Sequence, residues 1–233
     1  MAAVLVAFGA TAIGYSLANQ RHAPAPAPSA AGVLASPGRA RAEPPPPVRD
    51  PQRVAAEAQQ AAAVPREPFH LGSSRPVSIA IPAIKVHSVI QTLGVNPNGT
   101  IEVPPLGDTP KTNEAAWFKY SATPGQLGVS VIEGHIDSAF QGPSVFFELG
   151  KLAPGDRIYV ALADRVEAVF TVRGVRQYQK KNFPTGVFYG NPGYAALHLV
   201  TCGGAFDPTD HQYLSSIIVV ASLTGARPIG RRA

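Results

Sequence analysis

Cysteine is almost absent from this sequence of 233 residues, which contains only Cys202. A single cysteine excludes an intramolecular disulfide and a metal site built from several thiolates. No cluster of histidine, cysteine and acidic residues has the spacing of metal ligands, so we expect no metal, no calcium requirement and no cofactor. The basic residues are scattered and form no run interleaved with aromatic residues, which argues against a nucleic-acid partner.

The first third of the chain lacks the composition of a folded domain. Residues 2–18 carry no charge, and their length is at the short end of what spans a bilayer. We expect residues 1–19 to be a membrane anchor, with a cleaved signal peptide as the alternative, although no Lys or Arg precedes the apolar run. Half of the 24 prolines lie at or before Pro76, so residues 20–75 are predicted to be a disordered, extended stalk.

Residues 76–226 have the length of one ordinary domain, followed by a basic tail at 227–233. This part has many short apolar segments, frequent turn signals and no long amphipathic helix. The pattern predicts an all-β fold, a closed barrel of about eight strands with short helices. The predicted strands include an edge strand Pro76–Ile81, then Thr100–Val103, Gly128–Gly134, Arg157–Leu162, Val166–Val175 and Ile217–Leu223.

A short buried strand is predicted to carry the thiol at its open end. Leu197 to Cys202 alternates, so that Cys202 shares one face with His198 and Val200. Gly203-Gly204 is expected to break the strand and to leave backbone room beside the sulfur.

A nucleophilic cysteine needs a proton acceptor or a positive neighbour, because a thiol has an ordinary pKa of about 8.5. His135 is the best candidate partner, since it stands where a Val/Ile-rich strand passes into a loop, and His211 is second. His198 lies roughly 13 Å from Cys202 along one strand, which is too far for contact. On spacing alone, an inert cysteine and a surface histidine remain the alternatives.

Two motifs contain these residues: Leu199–Cys202 reads Leu-Val-Thr-Cys, and Gly134–Ser138 reads Gly-His-Ile-Asp-Ser. Through them residues 76–223 resemble the sortases, the cysteine transpeptidases of Gram-positive cell surfaces. Further segments resemble the class F, actinobacterial branch. They are Cys202–Asp207, Phe183–Thr185 with Val187–Gly190, Ile79–Ile84 and Gly99–Pro104.

The resemblance implies a monomeric, membrane-anchored transpeptidase with its catalytic domain outside the cell. Cys202 would attack the Thr–Gly amide of a Leu-Pro-x-Thr-Gly-like sorting signal on secreted proteins, and His135 would act as acid and base. An amine from a cell-wall precursor or another protein would resolve the thioester. The alternatives are a Cys/His peptidase and a degenerate sortase-like binding module. An L,D-transpeptidase is disfavoured because its histidine and cysteine are closer in sequence.

One part of the family pattern is missing, because residues 203–226 contain no arginine after the cysteine. The resemblance implies that such an arginine steadies the substrate and the oxyanion. We expect His211, Arg173 or Arg176 to replace it, or the enzyme to be slow or atypical. Loss of one oxyanion donor typically costs about 2.7–4 kcal/mol of barrier.

Overall fold

The computed structural model describes residues 24–25, 68–97, 99–182 and 191–230. The predicted anchor at 1–19, nearly all of the stalk and residues 183–190 therefore lie outside the described residues, as does the end of the basic tail. In the described ranges, no helix has both the length and the apolar character needed to cross a membrane.

The strands of the described ranges are β1 Pro76–Ile81, β2 Val86–Leu93, β3 Ala115–Phe118, β4 Gly128–Glu133, β5 Asp137–Ser138, β6 Gly142–Pro143, β7 Arg157–Leu162, β8 Val166–Gln179, β9 Ala195–Asp207 and β10 Gln212–Pro228. Eight of them close into a barrel in the order β1-β2-β3-β4-β9-β10-β8-β7, while β5 and β6 form a separate hairpin. This confirms the predicted all-β barrel. The helices in the described ranges are single 3-10 turns at Pro82–Ile84, Pro110–Asn113, Leu149–Lys151 and Lys180–Asn182.

The barrel interior is filled by alternate residues of the strands, as the period of two dictates. Ile132 of β4, Phe170 of β8 and Leu199 of β9 are fully buried there. Phe146, from the turn after β6, fills the same core. These side chains hold the strand ends in place without a disulfide, because each buried large side chain contributes about 1.5–3 kcal/mol.

A second apolar cluster covers the opposite face of β4, β9 and β10. Its buried members are Val129, Val131, Ala196 and Ile218. Val200 packs against them, and Cys202 follows Val200 on that same face of β9. The Cys202 thiol therefore lies on the outer face of the barrel, next to this apolar cluster and outside the interior core.

Two strand predictions were wrong because they ignored long-range pairing. Pro76–Ile81 is not an edge strand, since β1 pairs with β2 on one side and with β7 on the other. Thr100–Val103 forms no strand and contributes one isolated bridge, between Val95 and Ile101. The local sequence indicates only the pairing of β1 with β2, whereas closure of the barrel adds the pairing with β7.

The glycine pair after the cysteine does not end its strand, contrary to expectation. β9 continues to Asp207, and its register with β10 shifts between Tyr213 and Ser215. Gly204 has φ +74°, and a Cβ there would lie 2.7 Å from Ser215 Oγ. The glycine thus permits a bulge that keeps β9 paired beyond the thiol.

A testable consequence concerns Gly134, at the exit of β4. A Cβ there would lie 2.6 Å from Val145 Cγ1 and 2.9 Å from Phe146 Cδ2. We expect Gly134→Ala to lower the free energy of unfolding by about 1–3 kcal/mol, because overpacking forces the core apart. Urea denaturation of both proteins measures this free energy of unfolding. Gly225→Ala is the control, since a Cβ there meets nothing within 4 Å, and equal losses in both variants would contradict the packing argument.

Candidate active site

Parallel pairing of β4 and β9 brings the two predicted site residues to one rim of the barrel. Glu133 pairs with Val200, and the Gly134 N–H donates to the Val200 carbonyl at 3.1 Å. His135 and Cys202 each follow this pair by two residues. The strands therefore are neighbours, and both residues leave the ladder at the same end.

The His135 ring is held by a main-chain carbonyl. Its Nε2 lies 2.7 Å from the Pro104 oxygen, and because a carbonyl only accepts, Nε2 carries the proton and donates it. In the neutral ring, Nδ1 is then the nitrogen able to accept a proton. The Phe146 N–H donates to the His135 carbonyl at 3.1 Å, which fixes the backbone beneath the ring.

The segment that supplies this carbonyl is tied to the β5–β6 hairpin. Gln141 Nε2 donates to the Thr109 carbonyl at 3.1 Å, and Ser144 Oγ is 3.0 Å from Asn113 Oδ1. Both bonds join the hairpin to the stretch between β2 and β3, in which Pro104 lies. The orientation of the His135 ring thus depends on the contact between the β5–β6 hairpin and the stretch from β2 to β3, rather than on one side chain.

Asp137 extends the site toward β10. The Tyr213 hydroxyl donates to Asp137 Oδ2 at 2.5 Å, across 76 positions of sequence. Burial raises the pKa of Asp137, whereas the Tyr213 hydrogen bond and the charge of His135 lower it. Burial also raises the pKa of Tyr213, and the hydrogen bond to Asp137 raises it further. Tyr213 therefore remains a protonated donor and holds the hairpin against β10.

Cys202 is partly buried, and this burial is the main cause that raises the pKa of its thiol. The Lys180 ammonium lowers the pKa of Cys202 by its charge and by a side-chain hydrogen bond, while Asp137 and Glu133 raise it. In the described part of the chain, Lys180 is the positive side chain whose charge acts on this sulfur. The resting thiol is protonated near neutral pH, and Lys180 favours its thiolate form.

Glu133 is a buried carboxyl on the face of β4 that also carries Val131. Its Oε1 has no hydrogen-bond partner, and burial raises the pKa of Glu133 to about 7. A carboxyl in this state is close to half-protonated at neutral pH. Its charge opposes ionisation of Cys202.

None of the three residues expected to replace the arginine is among the groups whose charge acts on the Cys202 thiol. His211 is exposed in the turn between β9 and β10, with φ +51°. Arg173 Nε donates to Ser222 Oγ at 2.7 Å, and Arg176 lies in β8 opposite Ile218. The sequence prediction missed Lys180 because β8 was predicted to end at Val175. The alternation of side chains continues to Gln179, and a strand extended that far would have placed Lys180 near the site.

No metal-binding group of three or more His, Cys, Asp or Glu occurs among the residues that the structure describes. The described site residues supply a thiol, an imidazole, two carboxyl groups, a phenol and an ammonium.

Comparison with known families and structures identifies one family. The sortase domain model matches residues 79–224. Similar solved structures include Listeria monocytogenes sortase A, with 19% identity and a TM-score of 0.48 over 69% of this chain and 93% of that one. Streptomyces coelicolor sortase E1, solved with a tripeptide in its active site, has 19% identity and a TM-score of 0.48 over 67% and 91%. No curated protein matches the chain.

A pH-dependent stability follows from Glu133. The folded protein keeps this proton up to about pH 7, whereas the unfolded chain loses it near 4.5, so stability falls as the pH rises between these values. The difference is worth about 3 kcal/mol. We expect Glu133→Gln to be more stable than the parent by up to that amount at pH 8, and nearly equal at pH 4.

Urea denaturation at the two pH values measures this difference. The control is Glu148→Gln, which removes a solvent-accessible partner of Lys151 and should change stability by about 0–1 kcal/mol at either pH. A gain for Glu133→Gln that is the same at pH 4 and pH 8 would contradict the assignment.

Proposed function

The chain belongs to the sortase family of cysteine transpeptidases, and we propose that it cleaves a Leu-Pro-x-Thr-Gly-like sorting signal between Thr and Gly. The observation that carries this proposal is the convergence of His135 and Cys202 at one rim through the β4–β9 pairing. Its partners would be secreted proteins bearing the signal and an amine acceptor at the cell wall.

In the proposed reaction, Cys202 gives its proton to His135, and its Sγ bonds to the Thr carbonyl carbon, which places the electron pair of the C=O π bond on the oxygen. When this oxyanion collapses, the C–N bond breaks and His135 gives a proton to the departing glycine amine. The thioester that remains keeps the energy of the acyl bond. The nitrogen of an acceptor amine then bonds to the thioester carbon and gives a proton to His135. The C–S bond breaks, and the expelled Cys202 thiolate takes that proton from His135.

The arrangement around Asp137 supports this chemistry without taking part in bond exchange. Its carboxylate attracts the His135 imidazolium, and the Tyr213 hydroxyl holds it in place. The Pro104 carbonyl holds the ring at Nε2. A histidine held in this way can exchange protons at one defined nitrogen.

Acyl-enzyme formation tests the proposal. The full chain is incubated with a peptide containing Leu-Pro-Ala-Thr-Gly, with and without triglycine, and followed by mass spectrometry. We expect a thioester on Cys202 and a ligated product when triglycine is present. Cys202→Ala should abolish the adduct, and His135→Ala should slow it by about 10²–10⁴.

The alternatives are separate outcomes of the same experiment. Release of the free acid at a rate that ignores triglycine would identify a peptidase. Retention of intact peptide without an adduct would identify a binding module. Either result would contradict the transpeptidase assignment for this signal.

We also propose that residues 1–19 anchor the protein in the cell membrane and that residues 20–75 hold the domain outside, away from the bilayer. The support is the uncharged run at 2–18 and the proline density that follows it. The net charge of +5 suits an anionic membrane surface or cell-wall polymer.

Membrane fractionation tests the anchor. We expect the full chain to sediment with membranes and to be released by detergent but not by salt, since the apolar run is buried in lipid. A chain that begins at residue 20 is the control and should remain in the soluble fraction. A shortened, released chain would indicate a cleaved signal peptide and contradict the anchor.

A further inference from the structure

The part of β10 that pairs with β9 beside the thiol provides no positive charge. Ser216 of β10 pairs with Cys202, and Ser215 pairs with Gly203. The hydroxyls of these residues can donate hydrogen bonds but cannot neutralise an anion. An oxyanion formed beside Cys202 therefore needs its cation from another element.

The far end of β8 meets this requirement. Tyr178 pairs with Ser216, so it is level with Cys202 across β10. Lys180 follows two residues later, where the chain leaves β8 in a 3-10 turn. With Tyr213 and Leu214 from the start of β10, it lines a cavity of about 320 Å³.

Two residues that line this cavity, Tyr213 and Lys180, interact with the hairpin after His135 and with the Cys202 thiol, respectively. The Tyr213 hydroxyl reaches Asp137, in the hairpin that follows His135. The Lys180 ammonium also acts on the Cys202 thiol, by its charge and by a side-chain hydrogen bond. One exposed lysine thus lines the cavity and also interacts with the thiol.

We infer that Lys180 is the cationic catalytic residue of this site, whose ammonium binds the oxyanion formed when Cys202 attacks a substrate carbonyl; this rests on the proposed function. The oxyanion lies on the carbon that becomes bonded to Sγ, so an ammonium in reach of Sγ is also in reach of that oxygen. Electrostatic stabilisation of this kind acts where charge develops.

A lysine performs this task differently from an arginine. Its ammonium is a compact point charge with three rotatable donors, whereas a guanidinium is a planar fork suited to two parallel bonds. Lys180 can therefore move from the thiolate to the developing oxyanion while its backbone stays in the 3-10 turn. Arginine at this position should restore the charge but not the full geometry.

The first measurement does not depend on any substrate. Because Cys202 is the only cysteine in the chain, alkylation by iodoacetamide reports on this thiol alone. The charged or titratable groups around it are Lys180, Asp137, Glu133 and Tyr213, together with His135 at the same rim. We expect Lys180→Met to shift the pH profile of alkylation upward, and Lys180→Arg to shift it back.

The second measurement is the rate of acylation by the Leu-Pro-Ala-Thr-Gly peptide. Because the oxyanion exists only near the transition state, Lys180→Met should lower kcat by about 10²–10³ and leave KM nearly unchanged. Lys180→Arg should recover part of the loss. Lys151→Met is the control, since it breaks only an ion pair with Glu148, and it should match the parent in both measurements.

The outcomes separate this inference from the proposed function. If the parent is not acylated but Lys180→Met shifts the alkylation profile, the sorting-signal proposal fails and the contact between ammonium and thiol stands. If the parent is acylated and Lys180→Met acylates at the same rate, the catalytic role of Lys180 is overturned. An unmoved alkylation profile overturns the contact itself. Thermal denaturation of each variant shows whether it folds.

Discussion

The pairing of β4 with β9 is the interaction on which the rest of this site depends. It is parallel, so both strands point their carboxyl ends toward the same rim, and it joins segments far apart in the chain. The last bond, from the Gly134 N–H to the Val200 carbonyl, sets how far His135 and Cys202 lie from the ladder. A slip of one residue would turn one of these side chains to the other face of the sheet.

Opposing effects act on the pKa of the Cys202 thiol, so the site does not simply activate it. Burial and two carboxyl groups favour the protonated thiol, and one ammonium favours the thiolate. A thiol that stays protonated is less nucleophilic than its thiolate. A substrate that covers the thiol would change this balance, because charge interactions strengthen when water leaves.

Local sequence was sufficient for the barrel class, for the alternation of β9 through Cys202 and for the placement of His135 just after a strand. It was insufficient wherever a distant strand decides the outcome. Closure pairs β1 with β7, and a bulge at Gly204 carries β9 past the thiol. Lys180 belongs to this second group, because its position depends on how far β8 follows β10. The class F resemblance rests in part on residues 183–190, and it stays a prediction.

The bond from His135 to Pro104 has a further consequence for how such a site can evolve. The acceptor is a peptide oxygen, which every amino acid supplies alike. The bond therefore constrains the path of the main chain at position 104 rather than the chemistry of its side chain. A comparison of side chains alone would overlook this requirement.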